Sequence, residues 1–237
     1  MAIDSGASFM SSFYDTLRPG HDYHSVKQGN VIQRYWHAQK FGYMRQSVNI
    51  TPEMVVVDVG CGSGAFLETL PPCQKHGVDH SVEQLAFARK LGLTVVQSEA
   101  DALPFSDGSV DVVFSSELIE HIPREKGEKM IEEFYRILRP GGKVVLTTPN
   151  YYSLWPAIEE LWSRTGPIDY RKIHITHYTR KKITNLFREN GFQKMRVKTF
   201  FLISPFLCFV PVLAKWVSVI ENKLINRGAL LWVVAQK

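Results

Sequence analysis

The sequence predicts an α/β protein built on one mostly parallel sheet, with helices on both faces. Three observations carry that reading. From Val55 onward, strand-like and helix-like stretches alternate, the pattern of a parallel sheet with crossover helices. The apolar run Val55-Val56-Val57 leads directly into a glycine-rich stretch, DVGCGSG, at positions 58–64. The chain has 237 residues, enough for one such domain with a sizeable core.

The elements follow in order. Residues 1–50 are aromatic and polar and read as a helical lid, with Tyr14, Tyr23, Tyr35, Trp36 and Phe41. Residues 51–237 form the main domain, with inserts at about 150–178 and 200–228. The first strand is Met54 to Asp58. Ala65 to Leu70 opens a helix that Pro71-Pro72 stops. Lys75 to Asp79 is the second strand, Val82 to Leu91 a helix, and Leu93 to Gln97 the third strand. Asp111 to Ser115 is the fourth. Lys126 to Leu138 is a helix, with Met130, Phe134, Ile137 and Leu138 on one side and Pro140-Gly141-Gly142 at its end. Lys143 to Thr148 is the fifth strand. Thr179 to Glu189 is a helix ended by Asn190-Gly191, and Gln193 to Thr199 and Ala229 to Ala235 are the last two strands. Trp155 and Trp162 sit near helical spacing in the first insert.

Composition narrows the function classes. Hydrophobic residues make up 45% and charged residues 22%, ordinary for a globular protein. The net charge of +5 is not gathered into a block of like charges, so no nucleic-acid partner is expected. Arg180-Lys181-Lys182 reads as a solvated helix start. Cys61, Cys73 and Cys208 form no CxxC pair, which argues for a reducing, cytoplasmic setting and against a disulfide framework or structural zinc. MAIDSGASFM lacks the basic and apolar regions of a signal peptide. The apolar run from Phe200 to Ala214 contains Pro205 and Pro211 and falls short of the roughly 20 residues a spanning helix needs.

The glycine-rich loop raises the question of its ligand. A triphosphate loop requires a lysine after its last glycine, and none follows Gly64. A dinucleotide loop fits Gly60, Gly62 and Ala65, with Asp79 placed to hold ribose hydroxyls. Asp58 at the end of the first strand argues the other way, because its carboxylate repels a pyrophosphate. It welcomes a ligand with an ammonium group and no phosphate. S-adenosylmethionine is such a ligand.

At this point the chain resembles the class I S-adenosylmethionine-dependent methyltransferases over roughly Val55 to Gln236. DVGCGSG, GVDHS (Gly77–Ser81), EADALPF (Glu99–Phe105), VDVVFSSELIEHIP and ILRPGGKVVLTTPN match that class's motifs in order. The resemblance implies a Rossmann-like seven-stranded sheet, mostly parallel with the last strand antiparallel. It implies S-adenosyl-L-methionine as cofactor. Asp58 then binds the methionine amino group, and Gly60, Cys61 and Gly62 give close backbone approach. Asp79, with His80 beside it, takes the ribose hydroxyls. Glu99 and the Ala100 amide hold adenine, with Asp101 as a substitute for Glu99. Ser115 lines the methionine end.

Methyl transfer needs an aligned acceptor more than a nucleophilic side chain. An oxygen or carbon acceptor also needs a base. Glu117, Glu120 and His121 lie at helical spacing on one face. This ExxEH resembles the metal site of ubiquinone-pathway O-methyltransferases and of small-RNA 2′-O-methyltransferases, with His174 or His177 to complete it. The expectation is nevertheless that His121 and His174 act as base or substrate contact, and no metal ligand is assigned. Tyr14, Tyr23, His24, Trp36, Trp155 and Trp162 are the candidate acceptor pocket. The segment at 200–223, with Lys215, Trp216 and Lys223, suits a membrane interface, with a homodimer interface or packing on the sheet as alternatives. QRYWHAQKF loosely resembles uncharacterised methyltransferases of isoprenoid or glycolipid intermediates. The expected function is methyl transfer to an oxygen, ahead of a nitrogen or carbon, of a small or lipid-like acceptor. Its expected place is the cytoplasm, with peripheral contact on the inner membrane face. The rivals are a non-catalytic S-adenosylmethionine- or lipid-binding protein and a nicotinamide-dependent dehydrogenase.

Overall fold

The computed structural model describes residues 18–165, 169–201, 207, 209–224 and 227–237. Tyr14 and Cys208 lie outside these, as do the side chains of Trp162, Lys215 and Lys223. The described residues begin with α1 (His21–Gln28) and α2 (Val31–Gln46). Asn30 caps α2 through a reciprocal capping box with Gln33. Seven strands follow: β1 (Val55–Val59), β2 (Gln74–Asp79), β3 (Val95–Gln97), β4 (Val110–Ser116), β5 (Leu138–Pro149), β6 (Gln193–Phe200) and β7 (Leu230–Gln236). The connecting helices are α3 (Val82–Lys90), α4 (Arg124–Ile137), α5 (Trp155–Thr165), α6 (Tyr170–Ile173), α7 (Arg180–Glu189) and α8 (Pro211–Leu224).

The strands lie in the order β3-β2-β1-β4-β5-β7-β6. The first five are parallel, and β7 runs antiparallel between β5 and β6. The expected seven-stranded sheet with an antiparallel last strand is therefore what the chain forms. The order reverses between β1 and β4, and the crevice at such a reversal is where open α/β sheets bind ligands.

Strand periodicity splits the core into two layers. On β1, Val57 and Val59 join Met130, Phe134 and Phe187 on one face. Val56 joins Phe41, Met44 and Phe66 on the other. Asp58 shares the parity of Val56 and so faces the layer that α2 covers. Met44 and Val56 are both fully buried there.

Two expectations about elements need correction. No α-helix forms over Ala65 to Leu70: the chain makes turns and one 3-10 turn at Leu67–Thr69. Six residues between Gly64 and Pro71 are too few to offset the nucleation of a helix. The fifth strand begins earlier than Lys143, at Leu138, directly after α4, with an irregular register opposite Val110 and Val112.

Candidate active site

The site is assembled at the carboxyl ends of β1, β2, β4 and β5. The loop after β1 turns on Gly60, Gly62 and Gly64, with φ of 77°, 51° and 82°. A side chain at Gly62 would place its Cβ 2.7 Å from Asp22 Oδ2, so the bare backbone is what fits. The loop is tied to β2, because Gly60 and Cys61 both donate their N–H groups to the Val78 carbonyl. Asp79 closes it from the other side. Its Oδ2 accepts from the Gly62 N–H at 2.8 Å, its Oδ1 from the Ser81 N–H at 3.0 Å, and His80 Nδ1 lies 3.5 Å from Oδ1.

Four acids gather around this loop: Asp22 from α1, Asp58 from β1, Asp79 from β2 and Glu117 just past β4. Asp58 is 2% exposed, and burial, then Asp79, push its carboxyl up to about 7 against the pull of Lys40. Asp22 is exposed on α1 with its carboxylate beside Gly62, and desolvation there raises its carboxyl too. Burial also lifts the Cys61 thiol well above its usual range, so it stays protonated. Ser115 Oγ is buried without a hydrogen-bond partner among the described residues. A pyrophosphate would meet this ring of carboxylates at close range, which removes the dinucleotide reading.

Lys40 answers the acids. It is 3% exposed on α2 and pairs directly with Glu117 Oε2. Burial works to raise Glu117, but the Lys40 ammonium overrides it and holds the carboxyl low. Glu117 sits at φ 53°, a left-handed conformation that a non-glycine residue adopts at a price in strain. His37, one turn before Lys40, is pushed down to about 4 by burial and then by Lys40. Sequence spacing could not find Asp22, His37 and Lys40, because α1 and α2 carry no motif of their own.

A second cluster lies beyond Glu117. Glu120, His121 and His174 each offer a ligand atom, all within 4.8 Å of one another. Glu120 is fully buried. Its Oε2 accepts from Thr148 Oγ1 at 2.9 Å, its Oε1 has no partner among the described residues, and burial raises its carboxyl to about 7. His121 Nδ1 donates to the Ile173 carbonyl at 2.9 Å, and burial, then His174, push the ring down to about 3. His174 is 5% exposed and backed by Glu159 and Tyr151. Glu117 is thus drawn out of the ExxEH set by Lys40, and His174 takes its place. His177 instead stacks on Tyr151 with centroids 3.9 Å apart.

The remaining expected residues divide. Glu99 is exposed and points to Lys126 at 3.5 Å, while Ala100 is half-buried against the core. Tyr23 and His24 do not reach the acceptor side. Tyr23 donates its backbone N–H to Ser63 Oγ and its hydroxyl to Glu68 Oε1, and the Tyr23 and His24 rings both pack on Phe87. Trp36 and Trp155 do converge, with Phe201, into an aromatic wall next to His174.

Strand order, glycine loop and acids together have the arrangement that the resemblance to S-adenosylmethionine-dependent methyltransferases implies. Residues 57–146 match the family described as "methyltransferase domain". Among curated proteins, an uncharacterized methyltransferase of Mycolicibacterium gilvum is 32% identical over 136 residues, 54% of this chain and 47% of the relative. A demethylmenaquinone methyltransferase of Chlorobaculum parvum is 26% identical over 208 residues, 79% of this chain and 86% of that protein. The chain spans less than half the length of several curated relatives it matches. Among solved structures, Haemonchus contortus phosphoethanolamine N-methyltransferase 2 in complex with S-adenosyl-L-methionine shares the fold. Its TM-score is 0.65 at 20% identity, covering 96% of this chain and 60% of that one. The residues here fit the cofactor: a side-chain-free cradle at Gly60 and Gly62, a buried carboxylate for an ammonium, and a second carboxylate at the next strand end.

Proposed function

We propose that the protein moves a methyl group from S-adenosylmethionine to an oxygen, ahead of a nitrogen or carbon, of a small or lipid-like acceptor met at a membrane surface. The observation that carries this is the buried His174, held by Glu159 beside His121 and Glu120. Asp58 takes the methionine ammonium, with Gly60, Cys61 and Gly62 against the methionine backbone and Ser115 at its end. Asp79 and His80 take the ribose, and Glu99 with the Ala100 amide takes adenine. S-adenosylmethionine supplies a methyl group already activated on a sulfonium, and its S–CH3 bond breaks as the acceptor's O–CH3 bond forms. The acceptor's hydroxyl proton passes to His174 Nε2, with His121 as the neighbouring contact. Residues 18–50 act as a lid over the loop, through Tyr23, Lys40 and Asp22.

A lipid-like acceptor is favoured by α8. Among its described side chains Ala214, Ser218 and Glu221 are buried, Val217 and Ile220 half-buried, and Val212, Leu213, Trp216 and Val219 exposed. The helix turns its small and polar face inward and its apolar face outward, the reverse of a helix on a soluble surface. Phe209 and Val210 extend the exposed stretch. No helix among the described residues is long and apolar enough to cross a membrane, so the contact proposed is peripheral.

The test incubates the protein with methyl-labelled S-adenosylmethionine and a membrane lipid extract, then partitions the products. Label in the organic phase is expected. Label confined to the aqueous phase sends the acceptor to a soluble class. Cofactor binding without any transferred label, to lipid or soluble extract, favours the non-catalytic binder. A second reading rests on the three donors within 4.8 Å: Glu120, His121 and His174 hold a divalent cation that acidifies the acceptor hydroxyl. Activity lost to a chelator and restored by magnesium selects it over a metal-free base.

A further inference from the structure

We propose that Glu159, on α5, is a positioning residue for His174: it fixes the imidazole as the Nδ1–H tautomer and so turns Nε2, with its lone pair, toward the acceptor. The inference rests on the reading of His174 given above and adds a residue that no sequence motif marks.

Glu159 and His174 are 3% and 5% exposed, so neither is a surface ion pair with freedom to drift. His174 Nδ1 lies 3.3 Å from Glu159 Oε1 and 3.1 Å from the Tyr151 hydroxyl. The Tyr151 hydroxyl lies 2.8 Å from Glu159 Oε2 and donates to it, since an ionised carboxylate only accepts. With its proton committed there, Tyr151 presents a lone pair to Nδ1. Both neighbours of Nδ1 are then acceptors, and only a nitrogen that carries the proton satisfies them. The opposite tautomer would set a lone pair against a carboxylate oxygen in a buried site, which is strongly disfavoured.

The frame around the ring limits its rotation as well. Trp155, one turn before Glu159 on α5, packs on His174 with centroids 6.2 Å apart, and Tyr170 packs at 5.6 Å. His177 Nε2 donates to the His174 carbonyl at 3.1 Å. A carboxylate behind a histidine sets which ring nitrogen faces the chemistry, and fixed tautomer is worth as much as fixed distance. The same fixing serves His174 as a metal ligand, so it does not depend on which of the two chemistries operates.

The test is the tautomer itself, read from long-range 1H–15N correlation on histidine-labelled full-length protein, with the His174 signal assigned by its loss in His174→Gln. The wild type is expected to show Nδ1–H. Glu159→Ala is expected to revert to Nε2–H. Glu159→Gln keeps an acceptor oxygen and is expected to retain Nδ1–H. In the lipid-extract assay, Glu159→Ala is expected to lose about 100-fold in methyl transfer, with the S-adenosylmethionine Kd by calorimetry unchanged. A wild type in the Nε2–H form overturns the proposal, and so does Glu159→Ala that keeps Nδ1–H or full transfer. Should Glu159→Ala fail to fold, the wild-type spectrum and Glu159→Gln decide. The expected tautomers together with no label transfer by the wild type would overturn the functional reading and still support the orientation of His174 by Glu159.

Discussion

In its proposed role as partner of the methionine ammonium, the buried Asp58 carboxylate would make cofactor binding depend on pH. Its carboxyl titrates at about 7, raised by burial and by Asp79. An incoming ammonium needs the carboxylate form, so binding must expel a proton below that value. S-adenosylmethionine affinity is expected to rise with pH up to about 7 and then level off, with proton release visible when calorimetry is repeated in buffers of different ionisation heat. Asp58→Asn is expected to flatten this profile and to weaken binding by roughly 10–100-fold, the worth of a charge-assisted hydrogen bond. Lys40 supports the converse argument. Lys40→Met strands Glu117 as an unpaired acid at the edge of the core. Fully buried pairs lose about 3–5 kcal/mol when broken; Glu117 is partly solvated, 24% exposed, so a smaller loss is expected in urea unfolding. The double variant Lys40→Met/Glu117→Gln should recover most of it. At Gly62, alanine combines a disfavoured φ with a contact to Asp22, and a loss of about 1–2 kcal/mol is expected along with weaker cofactor binding.

At the scale of elements, α8 makes the sharpest prediction. Replacing Val212 and Trp216 by serine removes apolar surface that contributes nothing to the fold, so thermal unfolding should move little, within about 0.5 kcal/mol. Co-sedimentation with anionic vesicles should fall steeply. Vesicle binding that survives both changes would place the contact elsewhere. How much could be read beforehand differs by element. β1, β4 and β7 were legible because each is a short apolar run between turn signals, and burial on both faces leaves such runs few alternatives, whereas β2 (QKHGVD) and β6 (QKMRVKTF) carry polar, exposed positions and were legible mainly from the turns that bound them. The loop glycines, Asp58 and Asp79 were legible for the same reason: they sit at fixed offsets from those strands. The helix expected at Ala65 was not, since apolar spacing over six residues cannot outweigh the two prolines behind it. Glu159, Tyr151 and Lys40 were illegible on other grounds. Each reaches the site from an element far along the chain, Lys40 by 77 residues to Glu117, and no local pattern encodes such a meeting. For Glu117 itself, helical spacing misled: the chain is left-handed there, and the 3-10 turn begins only at Ile119.

For the molecule as a whole, Asp58 and Glu120 set the direction in which stability drifts with pH. Both titrate at about 7 in the folded chain, and both should ionise near 4 when unfolded. Between those values the folded chain holds more protons than the unfolded one. Their contribution is therefore fully present at low pH, is lost as pH rises to about 7, and is flat above. The melting temperature is expected to be lower at pH 8 than at pH 6, and Asp58→Asn/Glu120→Gln should remove the difference. Saturating S-adenosylmethionine, in the proposed pairing of its ammonium with ionised Asp58, should restore more stability at pH 8 than at pH 6. The bilayer contact proposed for the outward apolar face of α8 carries a consequence for kinetics. A catalyst seated on a bilayer meets its acceptor in two dimensions, so its rate follows the acceptor's mole fraction in the lipid and not its bulk concentration. Diluting the acceptor with inert lipid, at constant total amount, should then slow the enzyme as if substrate had been taken away.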